Sequence, residues 1–166
     1  MNSKVLGLGA RSEMEIDQIH TPIKVLIVED LEDKATLGVL ELYRGGFYPF
    51  FELVGTQKEM EAALRSCRWD LVLSGDYLKA INATDALMIL KSSGQNAPFV
   101  VIAESLGAED AKALRRLGAC VVWTREWDLL SPVVRREFVR TGRTHLLGDS
   151  TAFGPTIPEA DEIKDG

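Results

Sequence analysis

The stretch Trp69-Asp70-Leu71-Val72-Leu73-Ser74-Gly75-Asp76 decides how this chain is interpreted. Residues 71–74 form a short apolar run, which is typical of a strand buried on both faces of a parallel sheet. Functional side chains in such sheets follow the carboxyl ends of the strands. Here the end position falls on Gly75, which has no side chain, and a carboxylate comes one residue later at Asp76. The sequence therefore predicts a site at which a carboxylate is absent or displaced by one position.

Strand-like and helix-like segments alternate on both sides of this stretch. Apolar runs predict strands at 23–28, 50–54, 71–74, 99–103 and 120–123. Helical spacing of apolar residues predicts helices at 32–43, 58–66, 83–91, 108–117 and 129–140. A capping box of Thr56 and Glu59 marks the start of the second helix. Five such pairs predict an α/β fold of the flavodoxin-like (βα)5 type, a doubly wound parallel five-stranded sheet in the order 2-1-3-4-5.

The predicted domain occupies residues 23–141, with a flexible N-terminal arm at 1–22. Residues 142–166 are predicted to form a disordered acidic C-terminal tail. Five carboxylates in that segment stand against Lys164 and Arg143, and Pro155 and Pro158 interrupt any helix.

Composition excludes several classes of function. A hydrophobic content of 46% with 27% charged residues is typical of a globular domain, and a net charge of −6 argues against nucleic acid as a partner. No apolar run reaches the roughly 18 residues of a membrane span, and the N-terminus lacks the pattern of a signal peptide. Cys67 and Cys120 belong to no motif and are typical of a reducing compartment. We therefore expect a cytoplasmic protein without nucleic-acid or membrane partners.

Four segments in order resemble the framework of a two-component response-regulator receiver domain. They are residues 23–30, 69–74, 97–102 and 117–119. The resemblance spans about 23–140 and is closest to receivers attached to, or working with, sensor histidine kinases. It implies a role in bacterial signal transduction. It also implies a histidine kinase or another receiver as partner, with a homodimer as a further candidate.

The same resemblance assigns the positions of the phosphorylation pocket. The acidic pair of the family matches Glu29 and Asp30. The phosphate-accepting aspartate, the Thr or Ser, the aromatic and the lysine of the family fall on Gly75, Ala103, Val122 and Arg125. Glycine cannot accept a phosphoryl group, alanine lacks a hydroxyl, valine cannot make the aromatic rotamer change, and arginine is not equivalent to lysine.

These losses together predict a degenerate pocket. The chain is then a pseudo-receiver: a phosphorylation-independent protein-interaction module, not an enzyme and without a cofactor. We expect Arg125 to close the pocket through an ion pair with Glu29 or Asp30.

Two alternatives stay open. In the first, Asp76 accepts phosphate while Glu29 and Asp30 hold Mg²⁺, since carboxylates are suitable ligands for that ion. This needs an irregular end to the third strand, because neighbouring strand residues point to opposite faces. In the second, the space near Gly75 binds a small ligand.

A partner surface is predicted on the fourth helix, the fifth strand and the fifth helix, the usual partner face in the resembling family. The candidate residues are Arg115, Arg116, Val122, Trp123, Trp127 and Arg135. Arginine and aromatic residues are enriched in interfaces. Core packing of the two tryptophans is the competing interpretation.

Overall fold

The computed structural model describes residues 20–148, which form a five-stranded parallel sheet with helices on both faces. The strands are β1 (Thr21–Val28), β2 (Phe47–Val54), β3 (Leu71–Gly75), β4 (Phe99–Ala103) and β5 (Cys120–Trp123). The helices are α1 (Glu32–Arg44), α2 (Gln57–Ser66), α3 (Ala83–Ser92), α4 (Ala108–Arg116) and α5 (Leu130–Arg140). Short 3₁₀ segments, Thr124–Leu129 and Thr144–Leu146, flank α5. The strand order is β2-β1-β3-β4-β5, which confirms the predicted fold.

Element boundaries differ from the prediction mainly at the amino ends. β2 begins at Phe47 because Phe47 and Pro49 already pair with Thr21 and Ile23 of β1. The predicted Thr56 cap is present, because the Glu59 amide donates to Thr56 Oγ1 at 3.1 Å. The Glu59 carboxylate accepts from the Gly55 amide at 2.8 Å, one residue before the position that a capping box uses. The packed structure continues past 141, because Leu146 is buried. The rest of the predicted arm and tail, residues 1–19 and 149–166, lies outside the described residues.

Two apolar layers hold the helices on the sheet. One lies beneath α2, α3 and α4, and includes Leu26 and Val72 of the strands. The other lies beneath α1 and α5, and includes Ile27 and Leu73. Strand side chains alternate between these layers because successive residues point to opposite faces. The same alternation continues to the carboxyl ends of β1 and β3. It therefore determines on which face of the sheet each residue of the candidate site lies.

None of the helices among residues 20–148 is both long enough and apolar enough to cross a membrane.

Candidate functional site

The third strand ends regularly on Gly75. Ser74 pairs with Val28 of β1, and Gly75 pairs with Ile102 of β4, so the register is continuous to the last residue. There is no bulge that could bring Asp76 into the position of Gly75. Gly75 faces the α1/α5 layer and Asp76 faces the opposite layer, as alternation requires.

The Glu29 side chain fills the space above Gly75. Glu29 is only 6% exposed, although it carries a carboxylate. A Cβ built on Gly75 would overlap Oε1 of Glu29 and would stand 3.3 Å from its Cδ. Oε2 of Glu29 accepts a hydrogen bond from the Leu31 amide at 3.1 Å. The acidic residue after β1 therefore occupies the volume in which a side chain at position 75 would lie.

Lys34 supplies the positive charge at this site. It lies in the first turn of α1, and its ammonium forms an ion pair with Glu104 in the loop after β4. The hydrogen bond to Glu104 raises the pKa of Lys34, and the negative charges of Glu104, Glu29 and Asp76 act in the same direction. Burial raises the pKa of Glu29, while the Leu31 amide and Lys34 partly offset that effect. Lys34 thus balances several carboxylates at the carboxyl edge of the sheet.

Sequence reasoning missed Lys34 and assigned its role to Arg125. Arg125 is exposed, and its Cζ lies 5.1 Å from the ring centroid of Trp123, a cation–π arrangement. It forms no ion pair with Glu29 or Asp30, so that expectation is wrong. The lysine was visible in the sequence as a single positive residue directly after the acidic segment 29–33.

Asp76 is buried and bonded to backbone amides. It is 4% exposed. Its Oδ2 accepts from the amides of Glu104 and Ser105 at 2.8 and 2.9 Å. Its Oδ1 accepts from the Tyr77 amide at 3.0 Å. The side chain therefore joins the loop after β3 to the loop after β4.

The carboxylates at this edge of the sheet already have partners within the chain. Glu29 and Asp76 already accept hydrogen bonds from backbone amides, and Oδ2 of Asp30 accepts from the Lys79 amide at 3.0 Å. The charge of the Lys34 ammonium also acts on Glu29 and Asp76. Among residues 20–148 no group of three or more His, Cys, Asp or Glu side chains is placed to hold a metal ion.

The remaining space near Gly75 is small. A cavity of about 20 Å³ lies beside Glu29, Lys34 and Gly75, and Trp127 lines its other side. A cavity of this size has room for about one water molecule. Trp127 closes it by packing towards α1, where its ring lies 4.0 Å from a Cβ built on Gly38. The space left by the missing side chain at position 75 is therefore too small for a larger ligand.

The other pocket residues lie in the core. Ala103 is fully buried in the layer beneath α2–α4, on the face of Asp76. Val122 is 1% exposed in the layer beneath α1 and α5. Neither side chain reaches solvent, so Val122 has no surface to offer a partner.

The predicted partner residues do not form one surface. Arg116 is exposed on α4, and Arg115 and Trp123 are half-buried. Arg135 faces the turn between α1 and β2, where it donates to the Gly45 carbonyl at 2.6 Å and lies 4.7 Å from the Phe47 ring centroid. Burial also lowers the pKa of Arg135. Its interactions therefore hold the fold together, and partner contact by Arg115, Arg116 and Trp123 stays a prediction.

Comparison with known proteins finds solved structures of similar fold, but only at low sequence identity. No protein-family model and no curated protein matches the chain. The receiver domain of a signal transduction histidine kinase from Syntrophus aciditrophicus is 23% identical, with a TM-score of 0.59 over 74% of this chain and 94% of that one. The receiver domain of NtrX from Brucella abortus is 22% identical, with a TM-score of 0.61 over 69% and 98%.

A third solved structure bears on the pocket. The receiver domain of the sensor histidine kinase PA1611 from Pseudomonas aeruginosa is 17% identical, with a TM-score of 0.57 over 71% of this chain and 98% of that one. That protein has a magnesium ion coordinated in its active-site cleft. At these identities the likeness establishes the architecture. This chain has the fold of a response-regulator receiver domain.

Proposed function

We propose that this chain is a pseudo-receiver: a protein-interaction module of bacterial signal transduction that works without phosphorylation. The observation that carries the proposal is the position of Glu29, whose carboxylate occupies the space that a side chain at Gly75 would need. In this arrangement position 75 offers no acceptor, and Glu29 would have to move before a side chain there could fit.

Three contacts at the carboxyl ends of the strands support a site that keeps one conformation without phosphorylation. Lys34 of α1 pairs with Glu104 after β4. Asp76 after β3 accepts the amides of Glu104 and Ser105. These contacts tie the carboxyl ends of β1, β3 and β4 together through the chain's own charged groups, so no bound ion or phosphate is needed to order them.

The competing function is phosphorylation of Asp76, with Mg²⁺ held by Glu29 and Asp30. It would require one oxygen of Asp76 to give up its backbone amides: the Tyr77 amide if Oδ1 attacks, or the amides of Glu104 and Ser105 if Oδ2 attacks. Charge-assisted bonds of this kind contribute roughly twice as much as neutral ones. The regular end of β3 also keeps Asp76 on the face opposite Gly75. Both observations favour the pseudo-receiver.

Phosphorylation is tested by incubating the full chain with acetyl phosphate and Mg²⁺ and recording the intact mass. We expect no phosphate adduct. An adduct on the wild-type chain that Asp76→Asn abolishes would overturn the proposal, provided that the matched variant Asp85→Asn keeps it. Asp85 is a suitable control because it is exposed in the first turn of α3, on the same carboxyl side of the sheet.

Partner binding is tested separately. The full chain is immobilised and presented with histidine kinases and receivers from the same host, with and without acetyl phosphate. We expect binding that is insensitive to acetyl phosphate and weakened by Arg116→Glu on α4. Lys58→Glu, an exposed lysine on α2, is the control that should leave it unchanged. Binding that requires acetyl phosphate would contradict the proposal.

A further inference from the structure

Exposed apolar side chains are concentrated around one helix and the strand that follows it. Among residues 20–148, nine large apolar side chains are exposed, and five of them belong to α1, the residue before it or β2. These five are Leu31, Leu37, Leu40, Phe50 and Phe51. Single exposed apolar residues are normal on a folded domain, whereas a concentration of them is typical of an interaction surface.

The outermost face of α1 carries a stripe of four exposed residues. The buried residues of this helix are Ala35, Gly38 and Leu42. At 3.6 residues per turn, the opposite side of the helix carries Asp33, Leu37, Leu40 and Arg44. Leu37 is 46% exposed and Leu40 is 48% exposed, so both have apolar area left to bury. The spacing of four, three and four residues is that of the contact seam between two packed helices.

The stripe is complementary to itself when a second copy of α1 runs in the opposite direction. Leu37 and Leu40 lie at equal distances from the midpoint of the stripe, so Leu37 of each copy meets Leu40 of the other. The charged ends, Asp33 and Arg44, are also equally far from that midpoint, so opposite charges meet at both ends. A two-fold interface brings the same patch of both copies together and therefore requires a patch that complements itself, as this one does.

The charges at the ends of the stripe are available to pair between copies. Arg44 forms an ion pair with Glu41 of the same helix, with 3.0 Å between Nη1 and Oε2, but exposed pairs of this kind contribute little stability. Asp33 forms no ion pair with a cation of residues 20–148. The helix dipole already favours an acidic first turn and a basic last turn. It does not explain the two leucines between them, which a second copy would cover.

Pairing of strands at the edge of the sheet fits this region less well. The Glu29 amide donates to the Val54 carbonyl of β2 at 2.9 Å. Backbone groups alternate in direction along a strand, so the odd-numbered residues of β2 point theirs to the outer edge. Pro49 is one of them and has no N–H to donate, which protects an edge strand from pairing with another chain. The helix is therefore the better surface for association.

We propose that two copies of this chain associate through α1, with the two helices antiparallel and Leu37 of each copy packed against Leu40 of the other. A helix of this length is about 20 Å long. The contact is therefore smaller than the roughly 800 Å² per partner of a standard interface, and we expect a reversible dimer with a micromolar or weaker Kd. The proposal goes beyond the proposed function and does not depend on it, because a chain that accepts phosphate could still form this dimer and a monomer could still be a pseudo-receiver.

The first test measures sedimentation equilibrium of the full chain at concentrations up to about 1 mM. We expect a monomer–dimer equilibrium whose Kd rises about tenfold or more in the variant Leu37→Ser/Leu40→Ser. Met88→Ser on α3 is the matched control, since Met88 is 47% exposed and should leave the Kd unchanged. Thermal unfolding checks that both variants fold. A wild-type chain that is monomeric at about 1 mM would overturn the proposal, and so would a dimer that the leucine variant leaves intact.

The second test reads the direction of the helices by native mass spectrometry. Asp33→Arg places like charges at both ends of the interface, and so does Arg44→Asp, so we expect each variant alone to dimerise less than the wild type. In an equal mixture the two variants present opposite charges to each other at both ends. We therefore expect the mixed dimer, which differs in mass from both homodimers, to exceed its statistical share.

The matched control for the second test is the pair Asp85→Arg and Lys91→Asp. These exposed residues occupy the first and last turns of α3, as Asp33 and Arg44 do in α1. Their mixture should give the statistical proportions of the three dimers. Statistical proportions for the α1 pair as well would refute the antiparallel arrangement.

Discussion

The substitution Asp76→Asn tests whether the Asp76 carboxylate stabilises the fold or is available to accept phosphate. An asparagine oxygen in the place of Oδ2 can still accept from the amides of Glu104 and Ser105, but as a neutral acceptor. Its NH₂ group then faces the Tyr77 amide, so the third bond is lost. Hydrogen bonds to charged groups contribute about 1.5–3 kcal/mol and neutral ones about 0.5–1.5 kcal/mol. Two bonds each weakened by about 1–1.5 kcal/mol and one lost bond of about 1.5–3 kcal/mol give an expected loss of about 3.5–6 kcal/mol in the free energy of unfolding.

Urea unfolding of the full chain at neutral pH measures this loss. The midpoint should fall with an unchanged dependence on denaturant, which indicates altered stability without altered compactness. Asp85→Asn is the matched control, since an exposed carboxylate near a helix N-terminus contributes only about 0.5 kcal/mol.

A loss below about 1 kcal/mol for Asp76→Asn would refute the reasoning. It would mean that the three amide bonds contribute little and that the Asp76 carboxylate is available for chemistry.

Three further predictions concern the pocket and a buried thiol. Gly75→Ala should destabilise the fold by about 1–3 kcal/mol through overlap with Glu29, and a double-mutant cycle with Glu29→Ala should show that most of this cost disappears when both residues are changed. The pKa of Glu29 is raised above its ordinary value of 4.5. The folded state therefore holds this proton to higher pH than the unfolded chain does, and the associated stability is present below about pH 4.5 and lost as pH rises through the folded pKa. Unfolding measured against pH should show wild-type stability falling relative to Glu29→Gln over this range, and a constant difference would contradict the assignment. Burial raises the pKa of Cys120 to about 11, so in a Cys67→Ser chain Cys120 should react with a disulfide reagent at pH 8 much more slowly than it does in urea; equal rates would contradict its burial.

The fold was predictable because its determinants are local and repeated. Continuous apolar runs such as 99–103 identify strands buried on both faces, and the alternation with helices leaves few topologies. The position of Gly75 also followed from sequence, since the register of β3 places it at the strand end. The opposite face for Asp76 followed from the period of a strand.

The ion pair at the site could not be predicted from local sequence patterns as the strands and helices could. Lys34 and Glu104 lie in distant parts of the sequence, and only the sheet brings the start of α1 beside the loop after β4. Arg125 was the candidate because the lysine position of the resembling family falls on it, in the loop after β5. Its neighbour Thr124 lines the pocket instead, and Arg125 stacks on Trp123. Arg135 was misassigned for a related reason, because its contacts with Gly45 depend on how α5 packs against α1.

The absence of a side chain at Gly75 is coupled to the rest of the site. On one face Glu29 occupies the volume that a side chain at position 75 would need, and on the other face Asp76 accepts from the amides of the loop after β4. Lys34 balances both carboxylates together with Glu104. An aspartate introduced at position 75 would overlap Glu29 and would add a further negative charge next to a carboxyl whose pKa is already raised by burial. We therefore expect Gly75→Asp alone to destabilise the fold without creating a phosphorylation site, which intact mass after acetyl phosphate treatment would show.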